Sequence, residues 1–263
     1  MLKIGETMSK KSKLVVEITG AAGILLIWWT ITDLLKLLSP SILPSPLAVV
    51  WSFKELYLNN GLVGNAASSI KLNLLGLGEA TLLAIPLGLV IGLVPTLRNF
   101  SERYLTAIRF LPLTAVVGLF IAWFGIETNM KVQFLAFSIF LFLLPEVINK
   151  VDNVEPVYVQ VASTLGASGW QTIRSVYIPV VLARSYDSIR VLAALSWTYI
   201  VVAEMVNANG GGVGALIYIC SRRSRIDKVF ALLLTIIVIG YAQDKILIFL
   251  DRFLFPHKYV KKE

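Results

Sequence analysis

Residues Gly166, Ala167, Ser168 and Gly169 form a GxSG pattern, in which small residues present a serine hydroxyl as a possible nucleophile. A serine attacks only when a base within hydrogen-bond reach takes its proton, and that base is usually histidine. The chain has one histidine, His257, placed among lysines beyond the last apolar run. Cys220 is equally solitary, which excludes an intrachain disulfide framework and a multi-cysteine metal site. No GxxxxGK[ST] phosphate loop occurs, so the chain does not supply an ATP site of that kind. The remaining chemistry is charge inside apolar stretches, at Glu79 and Glu204. A charged side chain at the bilayer centre costs about 2.5–3.5 kcal/mol on insertion scales, so it pairs internally or serves a pathway. Glu79, Glu204 and the deep Trp197 are therefore candidate pathway or gate residues, with pairing and core packing as the alternative. Arg109 and Arg190, near span ends, read as side chains that snorkel to the headgroups.

The elements that hold these residues are membrane spans. Of the 263 residues, 57% are hydrophobic and 15% charged, and the mean hydropathy is +0.77. Soluble domains carry roughly 25% charged and roughly 45–50% apolar residues. Each span needs about 20 mostly apolar residues. The pattern predicts an all-α polytopic protein of about six spans: residues 14–38, 70–94, 108–123, 132–148, 188–206 and 230–249. Residues 46–58, after the helix-breaking Pro40, Pro44 and Pro46, are expected to form an amphipathic helix at the outer surface. Gly88 and Gly92 form a GxxxG pair that lets another helix approach closely.

The net charge of +8 is spread over short runs between the spans, without a basic stripe interleaved with aromatics, which argues against nucleic acid. Cytoplasmic loops carry excess Lys and Arg. Lys3, Lys10, Lys11, Arg98, Arg103, Lys150, Arg174, Arg184 and Arg252 then place both termini inside. Arg222, Arg223 and Arg225 are the exception, falling outside. The chain divides into a cytoplasmic N-terminus (1–13), a transmembrane domain (14–256) and a basic cytoplasmic tail (257–263).

The connection from Asn149 to Arg184 is far longer than its neighbours, and long ordered loops in compact proteins are usually functional. Pro156 and Pro179 bracket apolar positions Val159, Ala162, Leu165, Ile173 and Val176 at helical spacing around Gly166. Two short amphipathic helices hinged at Gly166 would lie along the cytoplasmic face and suit a groove on a soluble partner.

This segment resembles the EAA loop of permeases of the binding-protein-dependent ABC importer family. That pattern is Glu-Ala-Ala, three residues, Gly, nine residues, Ile, one residue, Leu-Pro. Gln160, Val161 and Ala162 occupy the first three positions, Gly166 the glycine, and Val176, Ile178 and Pro179 the end. Gln160 and Val161 replace Glu and Ala, which removes a charge. The resemblance runs from about residue 42 to 256. LPSPLAVV, LPLTAVVGLFIAWFGI and LSWTYIVVAEMV are similar to the nitrate/sulfonate/taurine branch.

The resemblance implies a permease without its own ATP site. ATP and Mg would bind a partner ATPase, which receives residues 156–179, with Gln160, Ala162, Leu165, Gly166, Ala167, Val176, Ile178 and Pro179 as the contact set. A substrate-binding protein and a second permease copy, most simply an identical one, complete the assembly in the lipid of the cytoplasmic membrane. The implied solute is a small oxyanion such as nitrate, sulfonate, taurine or bicarbonate; some heterocyclic vitamins and precursors also belong to the branch. Two rivals come from other classes. One is a membrane scaffold without transport. The other is an intramembrane serine protease, since GxSG resembles the rhomboid nucleophile motif.

Overall fold

The computed structural model describes residues 9–259. The remaining basic residues of both ends, including Lys3 and Lys261, lie outside the described residues. The helices are α1 (Lys10–Trp29), α2 (Pro46–Asn59), α3 (Leu62–Leu93), α4 (Pro95–Ile108), α5 (Leu113–Phe124), α6 (Thr128–Asp152), α7 (Pro156–Thr164), α8 (Gly169–Thr172), α9 (Ile178–Val206), α10 (Val213–Arg222) and α11 (Ile226–Leu254). π turns extend α1 over Thr30–Leu34 and join α8 to α9 over Ile173–Tyr177. The described residues contain no strand, and five helical segments are long and apolar enough to cross a membrane, or six with α4 and α5 taken as one bent span.

The chain forms two compact units. The first comprises residues 1–62 and 219–234. In it α1 is unburied over its apolar length, as suits a helix facing lipid, whose tails are as apolar as the side chains. Trp28 donates its indole N–H to the Pro44 carbonyl (2.9 Å) and stacks near Phe230 (5.9 Å between ring centres). Ser45 caps α2 by accepting from the Ala48 N–H, and Pro46 occupies its first turn, where the missing proline N–H costs nothing. Val49, Ser52 and Leu56 face inward. Leu47, Val50, Trp51 and Leu58 form an outward apolar face, the pattern of a helix lying in the interface.

Charges tie α2 to the α10–α11 turn. Glu55 meets Lys228 and Arg225 (3.0 Å each), and Arg225 also meets Asp227 (2.8 Å). The Lys228 and Arg225 bonds hold the Glu55 carboxyl below its usual range. Asp227 and then Glu55 hold the Arg225 guanidinium above its own. Arg225, expected as a loop charge on the outer side, is thus engaged inside this unit.

The second unit comprises residues 63–218 and 235–263. Its core is built from α3, α6 and α9, with Leu72, Ala80, Leu135, Leu143, Val147 and Ile200 at its centre. Three of the α3 glycines, Gly76, Gly88 and Gly92, are spaces for α6. A Cβ at Gly76 would meet Leu135 at 2.8 Å, one at Gly88 would meet Val147 at 2.6 Å, and one at Gly92 would meet Val151 at 2.8 Å. The GxxxG pair is therefore a packing face within the chain. Gly88→Leu is expected to destabilise the purified protein by about 1–3 kcal/mol, the usual cost of overpacking, seen as a lower midpoint of thermal unfolding in detergent. Gly78→Leu, where nothing lies within 4 Å, is expected to leave the midpoint unchanged.

The helices overrun several expected span boundaries (α3 opens at Leu62, not at residue 70), and two differences change the architecture. The supposed loop at 95–107 is helical, and the span placed at 108–123 is broken. α4 ends at Ile108, and α5 leaves at 103° to it. Pro112 disfavours helical geometry at Leu111 and cannot bond to the preceding turn. The span placed at 188–206 starts much earlier, because Gly169–Val206 runs as one helical segment.

Candidate coupling and translocation sites

The segment 156–179 is positioned by three local devices. Pro156 opens α7, and α7 closes at Gly166, whose φ of +77° is the left-handed conformation that favours glycine. Gly166 N–H donates to the Ser163 carbonyl (3.0 Å) and Ala167 N–H to the Ala162 carbonyl (3.0 Å), the paired closure of a Schellman motif. Ser168 then restarts the helix. Its hydroxyl accepts from Gln171 N–H (3.3 Å), while Gln171 Oε1 accepts from Ser168 N–H (2.7 Å), a capping box. The serine of the GxSG pattern is thus a helix cap, and the ring of His257 rests edge-on against Phe255.

Pro179 has no N–H for the helix ladder. The preceding turn widens, and Ile178 N–H donates to the carbonyl of Ile173. The expected second amphipathic helix, around Ile173 and Val176, is therefore α8 and the π turn, which open the continuous segment Gly169–Val206 ahead of α9. Val159 and Val176 pack against the core of the second unit. Gln160 is exposed, Ala162 and Ala167 are half-buried, and Ile178 is half-buried with Pro179 exposed. Leu165, one of the expected contact residues, is 81% exposed, at the end of α7 one residue before the glycine reversal. Val157, Val161 and Leu165, each four residues apart, with Trp170 beyond the turn, form an exposed apolar row. Apolar rows of this kind rimmed by polar residues mark interaction surfaces.

Of the three pathway candidates, Glu204 and Trp197 are held in the core. Glu204 is fully buried. It accepts from the Ser69 hydroxyl (2.6 Å) and from Gly214 N–H (2.8 Å). Ser69 in turn accepts from Val213 N–H (2.9 Å), and Asn65 from Gly212 N–H (2.7 Å). Three successive amides at the start of α10 are thereby satisfied, and a carboxylate sits where the helix dipole favours one. On the other side Lys131, 1% exposed, donates to the carbonyls of Asn207 (3.4 Å) and Gly211 (3.3 Å). The loop with Gly210, Gly211 and Gly212 is clamped between a buried ammonium and a buried carboxylate. Its glycines are required there. Gly211 and Gly212 have φ of +71° and +106°, and a Cβ at Gly212 would fall on the Glu204 carboxylate.

Trp197, 5% exposed, donates its indole N–H to Gln243 Oε1 (2.7 Å), Gln243 donates to Asn73 Oδ1 (3.1 Å), and Asn73 donates to the Ser196 hydroxyl (2.7 Å). This chain of polar groups joins α9, α11 and α3 with every member bonded, as buried polar groups require. Arg190 meets Asp244 (2.9 Å) instead of snorkelling free.

Glu79 lines a cavity of about 530 Å³, with Leu83 and Leu87 of α3, Phe120, Trp123 and Phe124 of α5, and Gln133, Phe137 and Phe140 of α6. Gln133 donates its amide to Glu79 Oε2 (3.0 Å). A second cavity, of about 370 Å³, is lined by Arg109, Phe142, Glu146, Asp187, Ser188, Val191 and Leu192. The two follow one another along α6, separated by the α4–α5 bend.

Lys131, Gln133, Ser69 and Gln243 escaped the sequence reading. A lysine at the mouth of an apolar run reads as an interfacial anchor, and only the return of the glycine loop onto α6 buries it. Gln133 carried a usable signal, an amide inside an apolar run.

Such a helical bundle, with lipid-facing spans, a broken span and a structured polar connection, defines a multi-pass membrane protein built for transport. The sequence profile of the family described as "binding-protein-dependent transport system inner membrane component" matches residues 84–255, and the chain belongs to that family: it is the permease component of an ABC transporter. A putative aliphatic sulfonates transport permease of Bacillus subtilis is 32% identical over 85% of this chain and 81% of its own length. The taurine transport system permease of Escherichia coli is 29% identical over 89% and 86%. Both match the nitrate/sulfonate/taurine branch. A crystal structure of an amino acid ABC transporter with histidines is 16% identical, with a TM-score of 0.58 over 76% of this chain and 97% of the other, and it shares the fold.

Proposed function

We propose that this chain is the transmembrane subunit of an ATP-driven importer for a small solute of the oxyanion type, with sulfonates and taurine the nearest examples by similarity to the relatives above. A separate ATPase binds ATP and Mg and docks on residues 156–179. A binding protein delivers the solute from outside, and a second copy of this chain completes the pathway. Both termini lie in the cytoplasm. The observation that carries this reading is the exposed row of Val157, Val161 and Leu165 on a segment whose other face packs on the core and whose far end continues into α9. A push on α7 therefore reaches a span directly, the coupling a two-state transporter needs. Gln160 keeps hydrogen-bonding capacity at the contact without the charge of glutamate.

The test is isolation of the chain from its native membrane in mild detergent, with mass spectrometry of its companions. The native chain is expected to carry an ATPase. Gly166→Pro is expected to lose it, because proline fixes φ near −65° and residue 166 sits at +77°. A native chain isolated without an ATPase, under conditions that preserve such complexes, would favour the scaffold reading.

A further inference from the structure

We infer that the Glu79 cavity binds the protonated nitrogen of an amine-bearing solute, so that the transported molecule carries a cationic nitrogen and is not a bare oxyanion. This inference rests on the proposal that the chain is an importer permease and narrows its solute class. Glu79 stands near the midpoint of α3 with one hydrogen-bond partner among the described residues, the neutral Gln133, and no described cation forms an ion pair with it. Elsewhere in the second unit the buried acid Glu204 is bonded to Ser69 and Gly214, and Asp251 meets Lys258 (3.0 Å). An acid within a span that lacks a cation is costly, and it repels nitrate or a simple sulfonate while attracting an ammonium.

The aromatic part of the lining suits the same cationic nitrogen. Phe120 has ring centres of Trp123, Phe124 and Phe137 within 5.3–5.7 Å, and all four rings line the cavity. Aromatic faces attract cationic nitrogen, more strongly where the cation is desolvated. One carboxylate oxygen, Oε1, has no hydrogen-bond donor among the described residues and remains available. Taurine and ethanesulfonate differ only by the amine, so they separate this reading from plain sulfonate binding.

The complex, purified through this chain and held in nanodiscs, is titrated with taurine, ethanesulfonate and nitrate by calorimetry, without the binding protein. Taurine is expected to bind at least about tenfold more tightly than ethanesulfonate, and nitrate not to compete. Glu79→Gln is expected to erase the difference, and Glu79→Asp to retain part of it. Equal binding of the two sulfonates, an amine preference that survives Glu79→Gln, or no taurine binding at all overturns the inference. A cavity filled by a lipid chain gives the last of these. Retention of the ATPase is scored on the same preparations, native and variant. Retained ATPase without amine preference refutes this inference alone, whereas a native chain isolated without ATPase refutes the importer reading beneath it.

Discussion

Leu165→Asp is expected to weaken the hold on the ATPase by at least about thirtyfold while leaving the permease folded, on the scale of interface hot spots of about 2 kcal/mol or more. Leu165 is 81% exposed, so the free permease gains a surface carboxylate at little cost, within about 0.5 kcal/mol for an ordinary surface site. In the proposed complex the same side chain enters an apolar groove, where an unpaired carboxylate is expensive. The measurement pairs the unfolding midpoint of the variant with ATPase retained per permease after washing. A second arm, Val159→Asp, tests the opposite face. Val159 packs on the core, so this change is expected to lower the midpoint. Unchanged ATPase retention in Leu165→Asp would remove the exposed row from the coupling surface.

Glu204→Leu is expected to destabilise the protein by about 3–5 kcal/mol, the cost of breaking a buried charge arrangement by removing one member. Leucine would leave the Gly214 N–H and the Ser69 hydroxyl without an acceptor, and would leave the buried Lys131 ammonium without the carboxylate that offsets its charge. Glu204→Gln preserves an acceptor oxygen and is expected to cost appreciably less. The readouts are the thermal midpoint and proteolytic cleavage at residues 207–213, which should rise most in Glu204→Leu. Lys131→Met, which frees the carbonyls of Asn207 and Gly211, is expected to release the same loop. Protection of the loop in all three variants would show that the clamp does not hold it.

Much of the architecture follows from periodicity and punctuation. Runs of apolar residues longer than the bilayer core must be helical, because lipid offers no partner for a free N–H or carbonyl. Most of the long apolar helices, α2 and the glycine-faced packing of α3 were legible for that reason. So was the outline of the segment 156–179, because Pro156, Gly166 and Pro179 each impose a backbone geometry regardless of their surroundings.

What the sequence left open depended on partners distant along the chain. Glu79, Trp197 and Glu204 look alike as polar or aromatic marks within apolar runs. Their roles divide according to what α6, α10 and α11 bring near them: a glutamine and an open cavity for Glu79, a glutamine and close packing for Trp197, two donors and a buried lysine for Glu204. Val159 and Leu165 share the same helical spacing, yet Val159 packs on the core and Leu165, beside the left-handed turn at Gly166, is exposed. The α4–α5 break was marked locally by Pro112, but its angle required the packing of Phe120 onto Phe134 and Phe137. By itself, then, the sequence determined helicity, most of the long apolar helices and the turn at Gly166, because these obey local backbone rules and the solvent. Tertiary structure alone decided which polar groups are satisfied and which face a cavity, because a buried charge takes its meaning from the group across from it.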